Sequence, residues 1–173
     1  MKRFLWICAL ALFSVPAWAA GTCVVTDVTS TQNISNRVPD SETVIVTLSC
    51  TADASAHTYP STTVALTGSS PSSLLNAYNL RGYYLYEVGR TPGTTQPTAN
   101  YTVTITDAQG FALDLGLLTT NGSAGAAQLT PISSATAPYP VFNVVRSALT
   151  VAISANSVNS AQITLDLIFR AHL

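Results

Sequence analysis

Apolar and polar residues alternate along most of the chain, and the alternation is clearest near its end. Leu149, Val151 and Ile153 are separated by small or polar residues, and the same pattern runs through residues 163–169. A period of two is expected of strands that bury one face. Residues 156–160, which separate the two runs, are mostly short and polar. We therefore predict a terminal β-hairpin closed by a loop of about five residues.

Further strands are predicted upstream. The strongest is residues 42–50, whose alternate positions form one apolar face and whose other positions are mostly β-branched. Shorter runs predict strands at residues 23–28, 62–67, 82–90, 101–107, 111–118 and 140–146. Helical spacing occurs at residues 73–80, and it predicts at most one short helix.

About eight or nine short strands, with frequent turns and no long helix, predict an all-β fold. We expect an antiparallel β-sandwich of the immunoglobulin-like or jelly-roll-like kind. Residues 68–73 have the composition of a linker. The part before them would be marginally stable alone, at roughly 50 residues. We therefore predict a single domain over residues 20–173.

The start of the chain predicts export. Lys2 and Arg3 precede an apolar run at residues 4–15, and a small-x-small sequence ends at Ala19. These features are typical of a secretory signal peptide, here residues 1–19. The apolar run is too short to span a bilayer, which takes about 20 residues. We expect an exported bacterial protein, periplasmic, on the outer surface or extracellular, with no stable membrane insertion after signal cleavage.

The charge of the remaining chain argues against two classes of partner. All eight acidic residues remain after signal cleavage, whereas Lys2 and Arg3 leave, so the mature chain has five basic residues, no lysine and a net charge of about −3. The few arginines are not clustered. Such a chain lacks the cations that bind nucleic-acid phosphates or anionic lipid. We expect no nucleic-acid partner.

Two cysteines remain after the predicted cleavage, because Cys8 leaves with the signal peptide. In an oxidising compartment, Cys23 and Cys50 are expected to form one structural disulfide. A metal site would need further ligands nearby, and a redox pair would need C-x-x-C spacing. Bonding would make their two strands neighbours in a sheet or bring them face to face across the core.

No sequence motif predicts catalysis. His57 and His172 stand outside any motif, and Ser123 lacks the spacing of a nucleophile elbow. Asp107 and Asp114 could meet across a hairpin as a carboxylate pair, although a turn and a solvated strand face explain them better. We expect a protein that is not an enzyme, with no metal and no cofactor.

Tyrosines are the feature with binding potential. On a strand, Tyr84 and Tyr86 share one face, while Tyr83 joins Leu85 on the other. Tyr84 and Tyr86 could therefore form a platform for a cell-surface glycan or a protein partner. Packing in the core or across strands is the alternative interpretation.

Two motifs carry a resemblance to known proteins. Residues 97–110 read P-T-A-N-Y-T-V-T-I-T-D-A-Q-G, and residues 156–161 read N-S-V-N-S-A before the last strand. Over residues 82–170 the chain resembles small β-rich proteins encoded among tailed-phage and prophage structural genes. The resemblance implies a particle-associated or accessory structural protein and brings no catalytic residues. The predicted signal peptide and the cysteine pair depart from that pattern.

A small exported sandwich with one disulfide also resembles chaperone-assembled fimbrial subunits, although the penultimate tyrosine usual there is replaced by His172. Three hypotheses follow. The first is a non-enzymatic exported structural or adhesive protein, encoded by a prophage, that binds a protein partner or itself. The second is a secreted carbohydrate- or surface-binding module using Tyr84 and Tyr86. The third is a fimbrial-type subunit assembled by strand addition.

Overall fold

Ten β-strands and no helix form the regular structure of the residues that the computed structural model describes, which are 20–31, 42–70, 77–113, 127–129 and 144–171. The strands are β1 Thr22–Thr31, β2 Thr43–Thr51, β3 Thr62–Val64, β4 Thr67–Ser69, β5 Ala77–Asn79, β6 Tyr84–Pro92, β7 Thr102–Asp107, β8 Ala127–Leu129, β9 Leu149–Ser154 and β10 Gln162–Arg170. The predicted all-β class is confirmed. The predicted signal peptide, residues 1–19, lies outside the described residues.

The strands form antiparallel sheets. A five-stranded sheet has the order β1-β2-β10-β6-β8, a three-stranded sheet has the order β3-β9-β7, and β4 pairs with β5. Every pairing between these strands is antiparallel. The predicted antiparallel architecture is therefore confirmed.

One hydrophobic core draws on both larger sheets. Alternate side chains of β2 and β10 are buried, as are those of β7 and β9. They belong to a single cluster whose fully buried members include Leu48, Ile105, Leu149, Val151, Leu165, Leu167 and Phe169. Two sheets that bury their facing side chains together form a β-sandwich.

The predicted terminal hairpin is wrong. β9 pairs with β3 and β7 in the three-stranded sheet, whereas β10 pairs with β2 and β6 in the five-stranded sheet. Residues 155–161 therefore cross from one layer to the other. An alternating pattern shows which side chains of a strand are buried, but it does not show which strand lies beside it. Because β9 and β10 each bury an apolar face in the same core, both show the pattern although they lie in different sheets.

The predicted short helix at residues 73–80 is also wrong where it can be compared. Ala77–Asn79 forms β5, which pairs with Thr67–Ser69; residues 73–76 lie outside the described part. Two turns of helical spacing are too short to stabilise a helix alone, and pairing with β4 satisfies the backbone instead.

Three other predicted strands are broken up or only partly described. Residues 62–67 divide between β3 and β4. Within residues 111–118, Ala112 forms an isolated β-bridge with Thr106. Within residues 140–146, Val144 forms an isolated β-bridge with Tyr84. Residues 114–118 and 140–143 lie outside the described part.

The disulfide joins the first two strands. Cys23 lies directly opposite Cys50 in the register of β1 and β2, and the two are bonded. Both side chains are buried in the core. Of the two arrangements that the sequence allowed, the strands are neighbours in one sheet.

Side chains occupy two backbone groups at the free edge of β1. A β-bulge precedes Asp27, and the Val28 amide donates to Ser70 Oγ at 3.2 Å while that hydroxyl donates to Asp27 Oδ1 at 2.9 Å. The Thr62 hydroxyl donates to the Cys23 carbonyl. Bulges and occupied edge groups both hinder the addition of a further strand.

Replacing Cys50 by alanine should destabilise the fold. The bond closes a loop with a sequence separation of 27, and a loop of that length stabilises by about 3 to 4 kcal/mol in the chain-entropy model. We expect Cys50→Ala to lower the thermal unfolding midpoint by roughly 10 °C, measured by circular dichroism. Ser49→Ala, an exposed neighbour on β2, is the control. Equal midpoints for the two variants would contradict a stabilising disulfide.

Candidate functional site

The surface with most binding potential is the side of the five-stranded sheet that faces away from the core. We call it the outer face, and we define it by ten half-buried side chains of β2, β6 and β10. They are Thr43, Ile45, Thr47, Tyr84, Tyr86, Glu87, Thr164, Asp166, Ile168 and Arg170. On each strand they lie opposite the buried residues.

A β-bulge in β6 brings two consecutive residues to this face. Ile168 pairs with Glu87, but Phe169 pairs with Leu85, so Tyr86 is the extra residue. Tyr86 and Glu87 are both half-buried, and they stand between buried Leu85 and Val88. Glu87 was not among the predicted site residues, because strict alternation from Tyr84 and Tyr86 places position 87 on the inner face.

Arg170 is held against Tyr86. Its guanidinium carbon lies 3.5 Å from the centroid of the Tyr86 ring, a cation–π distance. Its register partner is Tyr84, so the structure brings both predicted platform tyrosines to the outer face. One side of the Tyr86 ring is already covered by Arg170. The role of the two tyrosines in ligand binding stays a prediction.

Tyr83 has a different environment. It packs against the core, and its hydroxyl donates to Glu42 Oε2 at 2.5 Å. Burial, together with the hydrogen bond to Glu42 and the charge of that carboxylate, raises the pKa of Tyr83 above its usual range. The contact joins the residue before β2 to the residue before β6.

Asp166 lies near the centre of the outer face. Its Oδ1 accepts a hydrogen bond from the Thr47 hydroxyl at 2.7 Å. Gly89 is its register partner, and a Cβ at that position would lie 3.3 Å from Asp166 Cβ. The glycine therefore gives the carboxylate room that a side chain would occupy. Neither Asp166 nor Arg170 was singled out as a site residue from sequence.

Asp107 serves a turn. Its Oδ1 accepts hydrogen bonds from the amides of Gln109 and Phe111, both at 2.9 Å, which is the local bonding typical of aspartate at a reversal. Asp114, its predicted partner in a carboxylate pair, lies outside the described residues.

Asp53 is engaged in the same way. Its Oδ1 accepts from the Ala56 amide at 2.6 Å and from the Ser55 amide and hydroxyl, each at 2.7 Å. These hydrogen bonds, that from Ala56 first, lower the pKa of Asp53 to about 2. The carboxylate is therefore ionised at neutral pH and organises its own loop.

Metal-binding clusters and membrane-spanning helices are absent from the described part of the chain. It contains no group of three or more histidine, cysteine or acidic residues placed to hold a metal ion. Nor does it contain a helix long and apolar enough to cross a membrane. His172 and Ser123 lie outside it. No protein-family model, curated protein or solved structure matches this chain.

The Arg170–Tyr86 contact should contribute measurably to the free energy of unfolding. Arg170→Met keeps a long apolar stem but removes the charge, so we expect it to lower the free energy of unfolding by about 0.5 to 1 kcal/mol. Urea denaturation would measure the loss. Arg81→Met, at an exposed position, is the matched control. A variant at position 170 as stable as the natural protein would show that the stack contributes nothing.

Proposed function

We propose that this chain is a non-enzymatic, exported structural or adhesive protein that assembles with further copies of itself through the outer face. The observation that carries the proposal is the composition of that face. An isoleucine pair, Ile45 and Ile168, lies at its centre in direct register, and the Tyr86–Arg170 stack lies beside it. Tyrosine and arginine around an apolar centre are the residues enriched at protein interfaces.

The charges of the face support a second copy as the partner. Arg170 is a cation, whereas Glu87 and Asp166 are acidic, and all three are half-buried on the same sheet surface. A twofold contact presents the same surface from both sides, so each arginine can lie opposite an acid of the other copy. A surface of one sign alone would repel its copy.

The resemblance to phage-encoded structural proteins points in the same direction. It covers residues 82–170, which include β6 and β10, two of the strands that form the outer face. A structural role on a phage-derived particle or at the cell envelope needs a repeated protein contact rather than a catalytic centre. Asp53 and Asp107 are engaged in turns, which is consistent with a non-enzymatic role.

A carbohydrate- or surface-binding module is the second candidate. Tyr84 and Tyr86 lie on the outer face together with Glu87 and Asp166, and aromatic rings beside carboxylates can contact sugars. A fimbrial-type subunit is the third candidate. At the edge of β1, strand addition is hindered because Ser70 and Thr62 occupy the Val28 amide and the Cys23 carbonyl.

Ile168→Asp tests the proposal, because it places a charge at the centre of the outer face. We expect the mature chain, residues 20–173, to form dimers or larger assemblies in sedimentation velocity runs at micromolar concentrations, and the variant to be monomeric with an unchanged circular dichroism spectrum. Thr63→Asp, exposed on β3 in the other sheet, should assemble like the natural chain. A natural chain that stays monomeric at all concentrations would contradict the proposal.

A further inference from the structure

The outer face consists of rows of residues that lie side by side on β2, β10 and β6. The rows are Thr43, Arg170 and Tyr84, then Ile45, Ile168 and Glu87, then Thr47, Asp166 and Gly89. Residues two positions apart on a strand share a face and are about 7 Å apart. Arg170 and Asp166 therefore flank Ile168 on β10 at equal distances, one on each side.

Asp166 has one carboxylate oxygen engaged and one available. Its Oδ1 accepts from the Thr47 hydroxyl on β2. Its Oδ2 lies on the side of β6, where a Cβ at Gly89 would be 3.6 Å away from it. None of the described residues donates a hydrogen bond to Oδ2. This oxygen can therefore accept from a donor that approaches the outer face above Gly89.

Arg170 is directed toward the same neighbouring strand. Its guanidinium carbon lies 3.5 Å from the ring centroid of Tyr86 on β6, and its Nε is shielded from solvent with no hydrogen bond in the described structure. Stacking uses the face of the guanidinium, whereas its N–H donors lie in the plane. Four residues on a strand span about 13 Å. An arginine held on Tyr86 therefore does not reach Asp166 of its own chain.

A twofold axis through Ile168 determines which residues of two copies meet. If the axis lies in the plane of the contact and crosses the strands, the row of Arg170 faces the row of Asp166 in the other copy. The same ion pair then forms twice. This axis also places β6 opposite β6, so the guanidinium above Tyr86 approaches the available Oδ2. An axis along the strands would instead place Arg170 over Arg170, where like charges repel.

We propose that Arg170 binds Asp166 of a second copy across the outer face, with the strands of the two copies antiparallel, and that Glu87 limits the affinity of the contact. The proposal rests on the self-association proposed above and adds its orientation and partner residues. The other positions agree with this orientation. Ile45 and Ile168 each face their own copies in an apolar centre, and Tyr84 faces Gly89, which has no side chain.

Glu87 is the exception. It lies in the row of Ile168, so it faces Glu87 of the second copy, and two like charges placed opposite each other weaken association. The two acidic residues of the outer face therefore have opposite effects: Asp166 strengthens the contact and Glu87 weakens it. A contact in which Arg170 binds Glu87 would reverse these signs.

Asp166→Asn and Glu87→Gln test the pairing, because each removes a charge and keeps the size of the side chain. Dissociation constants are measured by sedimentation velocity over a dilution series of the mature chain, residues 20–173. We expect Asp166→Asn to raise the dissociation constant about tenfold, since it removes two ion pairs from each dimer. Glu87→Gln should lower it roughly threefold. Asp53→Asn makes the same change of charge away from the outer face and should leave it unchanged.

Charge reversal gives a second measurement. Arg170→Asp has acidic residues at both positions, and Asp166→Arg has arginines at both, so each variant should repel its own copies. In an equimolar mixture each acid can meet an arginine. We expect each variant alone to be monomeric and the mixture to form a mixed dimer, which native mass spectrometry identifies by its mass.

Failure of the pairing and failure of self-association give different results. A natural chain that stays monomeric at all concentrations would overturn both. If the natural chain assembles and Ile168→Asp does not, an unchanged dissociation constant in Asp166→Asn, or a raised one in Glu87→Gln, overturns the pairing alone. A mixture that stays monomeric, although both reversal variants keep the natural circular dichroism spectrum, does the same. If a reversal variant does not fold, Asp166→Asn and Glu87→Gln decide the pairing.

Discussion

The structure depends on the burial of the inner face of β10. This strand lies between β2 and β6 in the five-stranded sheet, and its residues Ile163, Leu165, Leu167 and Phe169 are at most 2% exposed. Pairing on both edges and an apolar inner face hold β10 in one register, because a shift by one residue would expose all four side chains. The positions of Asp166, Ile168 and Arg170 on the outer face follow from that register.

The same constraint explains which parts of the fold could be predicted from sequence. Alternation identified β2, β7, β9 and β10, because each has one face in the core. It could not identify partners, so β9 and β10 were wrongly expected to pair. It also could not place Glu87, since a bulge changes the face of every residue after it and depends on the neighbouring strand.

The contacts of the outer face differ in how visible they are in the sequence. Tyr84 and Tyr86 were recognisable as a pair because residues two positions apart on a strand share a face. Arg170 is distant in sequence and reaches Tyr86 only through the pairing of β10 with β6. The hydrogen bonds of Asn156 to Thr98 and His57 could not be predicted either, because they depend on connections that cross between sheets. Local residues predict local geometry, whereas sites made by distant strands need the topology.

In the role that we propose, copies of the chain meet through the outer face, whose centre is the Ile45–Ile168 pair. The most direct measurement is intermolecular disulfide formation in an Ile168→Cys variant under mild oxidation, followed by non-reducing mass analysis, because residue 168 lies at the proposed centre of the twofold contact. We expect a covalent dimer for this variant and none for Thr63→Cys on the other sheet. Dimers from Thr63→Cys alone, or from both variants equally, would contradict the proposed contact.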